Sequence, residues 1–204
     1  MRRRILLLAA PLGLAGCGSL LPKQPYTPRT IWPLQPPPPA ATRTANPTGP
    51  ILLVRAINPA PGLEQRGLQS LDKNGSLSVD YYNLWAVTPA AAVTQGVISW
   101  AEASGDFSAV ITPGSRLTPN LIVEGELSEL LFDQATNQAQ ARMTLLIIKP
   151  AAAIAGFAQP LAQAKLNASA PAQGQGPAAQ AQAQVEAVAG LLTQALALLR
   201  RYAV

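Results

Sequence analysis

Two long stretches near the middle of the chain are predicted to be β-strands, and apolar and polar residues alternate along the second, as expected for a half-buried strand. The stretches run from Leu121 to Asp133 and from Gln138 to Lys149, and the polar segment Gln134 to Asn137 joins them. One face of the second stretch is entirely apolar and carries Ala141, Met143, Leu145 and Ile147. The pattern therefore predicts two long strands joined by a short turn, with a buried face on the second.

Shorter apolar runs on both sides of this pair predict further strands. Ile51 to Asn58 is apolar and rich in β-branched residues between two prolines, which favours a buried strand. Asn74-Gly75 is a hairpin signal, and it joins a strand predicted over Leu63 to Leu71 to one predicted over Ser76 to Trp85. The remaining predicted strands run from Asp106 to Thr112 and from Phe157 to Ala168.

Two other segments follow the helical repeat. Pro89 comes directly after Thr88, so we predict N1 and N-cap positions here for a helix that ends near Gly105. A long helix is predicted from Pro177 to Tyr202, where apolar residues recur at helical spacing. These elements predict an α+β fold, with a mostly antiparallel sheet and two main helices packed on one face, one of them the long C-terminal helix.

The N-terminal residues have the parts of a secretory signal. Arg2 to Arg4 are basic, Ile5 to Leu14 form an apolar run too short to span a bilayer, and small residues precede Cys17. The box Leu14 to Cys17 resembles the site at which bacterial prolipoproteins are acylated on cysteine and cleaved before it. We therefore expect a signal peptide over residues 1–16, cleavage between Gly16 and Cys17, and lipidation of Cys17. The alternative is an ordinary signal peptide, with Cys17 as an unpaired core thiol.

A segment rich in proline, alanine and threonine separates Cys17 from the first predicted strand. We expect residues 17–50 to be a lipidated N-terminus and linker, and residues 51–204 to form one periplasmic domain. The prolines favour an extended polyproline II spacer, and plain disorder is the alternative. A few large apolar or aromatic residues interrupt this composition, namely Tyr26, Ile31, Trp32 and Leu34. They could form a short strand docked on the domain, or they could be unstructured, and both alternatives remain open.

Charge and residue types exclude several classes of function. The chain has 15 Lys+Arg and 10 Asp+Glu, and removal of Arg2 to Arg4 leaves 12 basic against 10 acidic residues, without the clustered basic stripe of a nucleic-acid binder. Because the chain has no histidine and one cysteine, histidine-dependent triads and ordinary zinc sites cannot form. Carboxylate catalysis remains chemically possible, and its nearest candidates are Glu124, Glu126, Glu129 and Asp133. A solvated strand face explains Glu124 and Glu126 better, so we expect no catalytic or metal-binding residues and no enzyme.

The aromatic residues Tyr81, Tyr82 and Trp85 stand close together in one predicted strand. Aromatic side chains with polar tips are enriched in the cores of protein interfaces. The three are therefore candidates for partner binding, and packing beneath the first helix is the alternative for each.

Several landmarks in order along the chain together resemble one family. They are the box with Cys17, the strand Ile51 to Val54 followed by Pro61-Gly62, the segment Tyr81 to Trp85 with Pro89 shortly after, the helix end at Ser104-Gly105, the strand Phe107 to Val110, and Leu127 to Leu130. The chain resembles the ABC-type transport auxiliary lipoprotein family, which includes the lipoprotein of the paraquat-inducible intermembrane transport system. The arrangement of Tyr-Tyr, Trp, Pro and helix is the most specific part of this resemblance.

The resemblance implies a non-enzymatic part of an intermembrane lipid transport system. The implied partners are a periplasmic protein of the mammalian-cell-entry type and an inner-membrane ABC transporter, and the implied role is docking at the outer membrane. Gly18 and Ser19 after the cysteine favour the periplasmic face of the outer membrane, with diacylglycerol and an N-acyl chain (palmitate) on Cys17 and no other cofactor. Related lipoproteins can form rings, which leaves homo-oligomerisation open. The alternative function is a structural or assembly lipoprotein of the envelope.

Overall fold

The computed structural model describes residues 26–38, 43–151 and 156–203. The predicted signal peptide, its cleavage site and Cys17 lie outside the described residues. The described strands are β1 Thr30–Trp32, β2 Ile51–Pro59, β3 Gly67–Leu71, β4 Leu77–Trp85, β5 Ala109–Ile111, β6 Leu121–Asp133, β7 Gln138–Lys149 and β8 Gln159–Pro171, and the described helices are α1 Pro89–Ser104 and α2 Pro177–Arg200.

The sheet divides into two parts at β6, because two different strands, β2 and β3, pair with successive parts of one of its edges. On its other edge β6 pairs antiparallel with β7 along its whole length, and β7 pairs antiparallel with β8. On the divided edge, β2 lies parallel to the first half of β6 and β3 lies parallel to its last residues. Beyond β2 lies β5, and beyond β3 lie β4 and then β1. The molecule therefore has two separate sheet margins on this side, one ending in β5 and the other in β1.

The predicted α+β class is confirmed, with two helices on one face of the sheet. The longest ladders are antiparallel, but β2 is parallel to both of its neighbours, so the sheet is mixed. Helix α1 packs on β2, and α2 packs on β7 and β8. The helices approach closely at Gly96, where an added Cβ would lie 2.8 Å from a methyl carbon of Leu192. The core is the apolar layer between this helix pair and the sheet.

The helix boundaries follow the predicted start and stop signals. Thr88 occupies the N-cap position before Pro89, but its hydroxyl makes no capping hydrogen bond, so the fixed φ of the proline is the signal that starts α1. Gly105 ends α1 in the left-handed conformation at φ 69°, and its N–H donates to the carbonyl of Glu102. Helix α2 ends at Arg200, two residues before the predicted end at Tyr202.

Strand boundaries are confirmed for β6 and β7 and differ elsewhere. The strand predicted from Leu63 begins only at Gly67, because the N–H of Leu63 donates to the carbonyl of Ala60 in a turn. Leu63 is nevertheless buried, so its apolar character reports packing of a loop and not a strand. Likewise β5 is limited to Ala109–Ile111 and β8 is displaced to Gln159–Pro171.

The segment before β2 packs on the body through β1 and the residues that follow it. β1 pairs parallel with the end of β4, Leu34 is 1% exposed, and the indole N–H of Trp100 donates to the carbonyl of Pro36 at 3.0 Å. Tyr26, in contrast, is 88% exposed. Of the two alternatives left open for this segment, docking is therefore the observed one for Trp32 and Leu34.

Candidate partner-binding surface

An apolar stripe on β4 lies open to solvent. Leu77, Val79 and Tyr81 are 54%, 41% and 65% exposed. Ser78 pairs in register with Ser70, whose hydroxyl donates to Gln180 on α2, so this pair lies on the helix side of the sheet. Because side chains alternate along a strand, Leu77 and Val79 lie on the opposite side, which the helices do not cover.

The same part of β4 has an open backbone edge. β1 pairs only with Asn83 to Trp85, so the outer edge of residues 77–82 has no strand neighbour within the described ranges. The N–H of Asp72 donates to the carbonyl of Ser76 and closes the hairpin, which makes Leu77 and Val79 members of non-hydrogen-bonded pairs with β3. Their own N–H and C=O groups therefore point outward, where another strand can pair with them.

A bulge in β4 brings both tyrosines to the surface. The pairing with β3 shifts between Val79 and Leu84, so the intervening residues bow away from a single residue of β3. The carboxylate of Asp80 holds this bulge, because it accepts hydrogen bonds from the backbone N–H of Tyr82 at 2.7 Å and of Asn83 at 2.9 Å. Tyr81 and Tyr82 are consequently both exposed, whereas a regular strand would turn one of them toward the helices.

The ionisation of Asp80 is coupled to the bulge. Burial acts to raise the pKa of the Asp80 carboxyl, but hydrogen bonds from the side chain and backbone of Asn83 and from the backbone of Tyr82 outweigh it. The pKa therefore lies below its ordinary value of 3.8. A carboxyl whose folded pKa is depressed stabilises the fold above its ordinary pKa, and the contribution is lost as the pH falls through the folded pKa.

We expect acidification below pH 3.8 to open the bulge before the rest of the sheet unfolds. The measurement is an NMR titration of the amide shifts of Tyr82 and Asn83, which should move together with the Asp80 carboxyl. The Asp80→Asn variant keeps one acceptor oxygen but no charge, and its two amides should show no such transition. An unchanged transition in that variant would assign it to another group.

Arg29 completes an aromatic cluster with the two tyrosines. Its guanidinium lies 4.2 Å from the ring centroid of Tyr81, and the ring of Tyr81 meets that of Tyr82 edge-on with centroids 5.2 Å apart. Beside Tyr81 a cleft of about 460 Å³ is lined by Arg29, Val79 and Arg66 among others. The surface thus joins two tyrosine rings to an exposed arginine, and tyrosine and arginine are enriched in binding hot spots.

The three aromatic residues singled out from the sequence lie in two different environments. Tyr81 and Tyr82 lie together on the surface, but Trp85 is 1% exposed and belongs to the core. Sequence reasoning missed Leu77 and Val79, whose spacing by two in a hairpin strand was the available signal. Arg29 was also missed, and it gave no signal because its contact with Tyr81 spans distant parts of the chain.

The acidic residues considered for catalysis each take part in sheet structure or face solvent. Glu124 pairs with Arg55 at 2.7 Å, and Glu129 pairs with Arg142 at 3.0 Å. Asp133 caps the β6–β7 turn, where hydrogen bonds from the backbone of Ala135 and from Thr136 lower the pKa of its carboxyl despite burial. These carboxylates are therefore explained by ion pairs and turn hydrogen bonds. The fourth, Glu126, is exposed.

Residues 26–38, 43–151 and 156–203 hold neither a candidate metal centre nor a membrane-crossing helix. They contain no cluster of three or more histidine, cysteine, aspartate or glutamate residues able to hold a metal ion. Neither helix in these ranges combines the length and the apolar character needed to cross a membrane.

Comparisons with known proteins identify relatives by sequence model and by fold. A family model described as an ABC-type transport auxiliary lipoprotein component matches residues 32–195. A crystal structure of a Xanthomonas campestris protein, labelled with the family model DUF330, superposes with a TM-score of 0.66 at 19% identity and covers 85% of this chain and 97% of that one. A Chlamydia trachomatis hypothetical protein superposes with a TM-score of 0.51 at 10% identity, covering 76% and 98% of the two chains. At these identities the likeness concerns the fold. A search of curated proteins finds no match.

Proposed function

From the premise that this chain belongs to the family of ABC-type transport auxiliary lipoprotein components, we propose that it is the outer-membrane docking component of an intermembrane lipid transport system. The family is an auxiliary transport component and not a known enzyme family. The observation that carries the docking role is the surface on β4, where the exposed stripe of Leu77, Val79 and Tyr81 coincides with an open strand edge. Surfaces that combine these two features are suited to partner binding.

The anchor in this proposal is Cys17. Cleavage after Gly16 exposes the cysteine as the mature N-terminus, and acyl chains on it hold the protein at the periplasmic face of the outer membrane. Each buried methylene contributes about 0.8 kcal/mol, and a single chain binds only marginally, so stable anchoring requires the diacylglycerol and the N-acyl chain together. Because β1 and the residues after it pack on the body, the segment between Cys17 and β1 sets the distance between the membrane and the body in this proposal.

The partner in this proposal is the periplasmic mammalian-cell-entry type protein of the transporter. An extended segment of that protein adds as a strand to the outer edge of β4, with main-chain hydrogen bonds to Leu77 and Val79. The apolar stripe and the rings of Tyr81 and Tyr82 then supply side-chain contacts. In this mode backbone pairing gives affinity, and the alternate side chains give specificity.

We expect Leu77→Asp with Val79→Asp to abolish retention of the partner. Two carboxylates in the stripe would be desolvated without partners, which should weaken binding by more than about tenfold. The measurement is affinity capture from envelope extracts with the full chain, followed by mass spectrometric identification of a mammalian-cell-entry type protein or an ABC transporter subunit.

A matched control carries the same charge at two other exposed apolar sites, Val87→Asp with Leu117→Asp, where the side chains are 47% and 52% exposed. This control should retain the partner. Equal retention by both doubles would place the interface elsewhere, and recovery of no transporter component by the native chain would overturn the docking role. Light scattering of the same proteins separates a further outcome: loss of self-association in the β4 double alone would assign the edge to a second copy of this chain.

A further inference from the structure

A second concave surface lies at the opposite margin from the β4 stripe, where β2 and β6 begin and β7 and α2 end. It is a cleft of about 520 Å³ between these elements. Leu121 and Leu161 give it apolar walls, and Lys149, Arg201, Asn120 and Tyr202 give it polar groups. The cleft therefore combines two cations with an apolar lining.

Within the described residues, neither cation of the cleft has a side-chain carboxylate partner. Every Asp and Glu of the chain lies within the described ranges, and none has an oxygen within 4.0 Å of Lys149 or Arg201. Asp106, whose carbonyl oxygen would lie 2.6 Å from a Cβ added at the cleft residue Gly49, is already held by Arg200 at 2.6 Å and by Arg43 at 3.9 Å. Positive charge at this site is therefore not neutralised by the neighbouring acidic residue.

The carbonyls at the end of α2 do not need the Arg201 side chain as a hydrogen-bond donor. Helix carbonyls at a C-terminus attract cations, but here the N–H groups of Arg201, Tyr202 and Ala203 satisfy the carbonyls of the last helical turn. The hydroxyl of Tyr202 donates to the carbonyl of Leu161 at 3.3 Å, which fixes the ring as one wall of the cleft. Leu161 lies at a register shift between β7 and β8, and bulges of this kind re-aim side chains and are frequent next to functional sites.

The opposite wall is also held in place. The amide oxygen of Asn120 accepts a hydrogen bond from the N–H of Ile51 at 2.8 Å, and the N–H of Asn120 donates to the carbonyl of Ile51 at 2.9 Å. These two bonds lock the starts of β2 and β6 together. The cleft is therefore preformed on strand ends, and its two cationic residues, Lys149 and Arg201, are exposed.

We propose that this cleft binds a phosphate group, with Lys149 and Arg201 as its cationic ligands. A guanidinium matches phosphate in a bidentate manner, and an ammonium adds a point charge. Leu121 and Leu161 beside the cations suit the first carbons of a chain attached to the phosphate, so the headgroup of an anionic lipid fits the site better than free phosphate. The proposal is independent of the β4 surface, since it uses none of the same residues.

The test is an NMR titration of the full chain carrying Cys17→Ser, which cannot be acylated, at low ionic strength. The probes are monomeric dihexanoyl-phosphatidylglycerol, monomeric dihexanoyl-phosphatidylcholine and inorganic phosphate. We expect the anionic lipid to shift the amides of Leu161 and Tyr202 and to bind more tightly than the zwitterionic lipid, whose choline opposes Lys149 and Arg201. Binding of inorganic phosphate alone would assign the site to free phosphate, and no shift with any probe would overturn the proposal.

Lys149→Gln with Arg201→Gln should weaken binding of the anionic lipid by about tenfold or more, which corresponds to about 1.4 kcal/mol. Lys73→Gln with Lys165→Gln is the matched control, because it removes two positive charges from exposed positions on other parts of the molecule. It should bind as the parent does. Equal weakening in the two doubles would mean a diffuse charge effect and would contradict a defined site. The thermal midpoints of both doubles verify that each is folded.

Discussion

We expect Trp85→Ala to lower the free energy of unfolding by about 3–5 kcal/mol, the usual cost of truncating a buried tryptophan. The Trp85 side chain is 1% exposed, and its backbone is tied on both sides, through the N–H bond to Arg66 at 2.7 Å and the register pairing with Trp32 of β1. Truncation would leave a cavity where the N-terminal segment, β4 and the core meet. Denaturant unfolding monitored by circular dichroism gives the value directly.

Tyr81→Ala is the matched comparison, since Tyr81 belongs to the same strand but is 65% exposed. It should change stability by no more than about 0.5 kcal/mol, as is usual for surface substitutions. The two variants thereby separate folding from binding: a Trp85 variant that loses partner binding does so through unfolding, whereas a Tyr81 variant that loses it does so while folded. A stability loss below about 1 kcal/mol in Trp85→Ala would contradict its placement in the core.

We expect Gly125→Ala to cost about 3 kcal/mol, near the upper end for overpacking. Gly125 lies in β6, the strand on which both halves of the sheet depend, and pairs with Leu145 of β7. An added Cβ would overlap the backbone carbonyl of Thr144, and a methyl carbon of Leu145 would lie 3.0 Å away. The carbonyl of Thr144 belongs to the backbone of a long antiparallel ladder, so it cannot rotate away from the added Cβ as a side chain could.

The comparison for this prediction is Glu126→Ala, one residue further along the same strand and exposed. Its effect should remain within about 0.5 kcal/mol. Thermal unfolding of the two variants under the same conditions measures the difference. If Gly125→Ala were as stable as the parent, the carbonyl of Thr144 could not lie as close to Gly125 as the structure places it.

The accuracy of the sequence-based expectations depended on how local each signal was. The ends of β6 and β7 were predicted correctly, because the polar turn Gln134 to Asn137 separates the two strands and period-two alternation over the 12 residues of β7 leaves little freedom in register. The limits of α1 were also correct, since Pro89 and Gly105 act through their own backbone conformations. The predicted start of β3 was wrong because Leu63 is buried in a loop by contacts with distant residues. An apolar residue in the sequence does not show whether it is buried in a loop or in a strand.

The candidate binding surface was less accessible to prediction for the same reason. Tyr81 and Tyr82 were noticed as aromatic residues, but regular alternation places only one of them outside. The bulge held by Asp80 exposes both, and it depends on the pairing of β4 with β3. The contact between Arg29 and Tyr81 joins residues from distant parts of the chain, so no local pattern indicates it.

The sequence by itself determined the elements, the α+β class, the exclusion of histidine-dependent chemistry and the resemblance to a lipoprotein family. These follow from residue type and short-range periodicity, which act within one or two turns or strands. Only the tertiary structure decided that β6 divides the sheet, that Trp85 is core, that residues 77–82 of β4 have no strand neighbour among the described residues, and that Lys149 and Arg201 share one cleft. Each of these depends on which distant segments pair, and pairing is fixed by the burial of whole faces rather than by any local pattern.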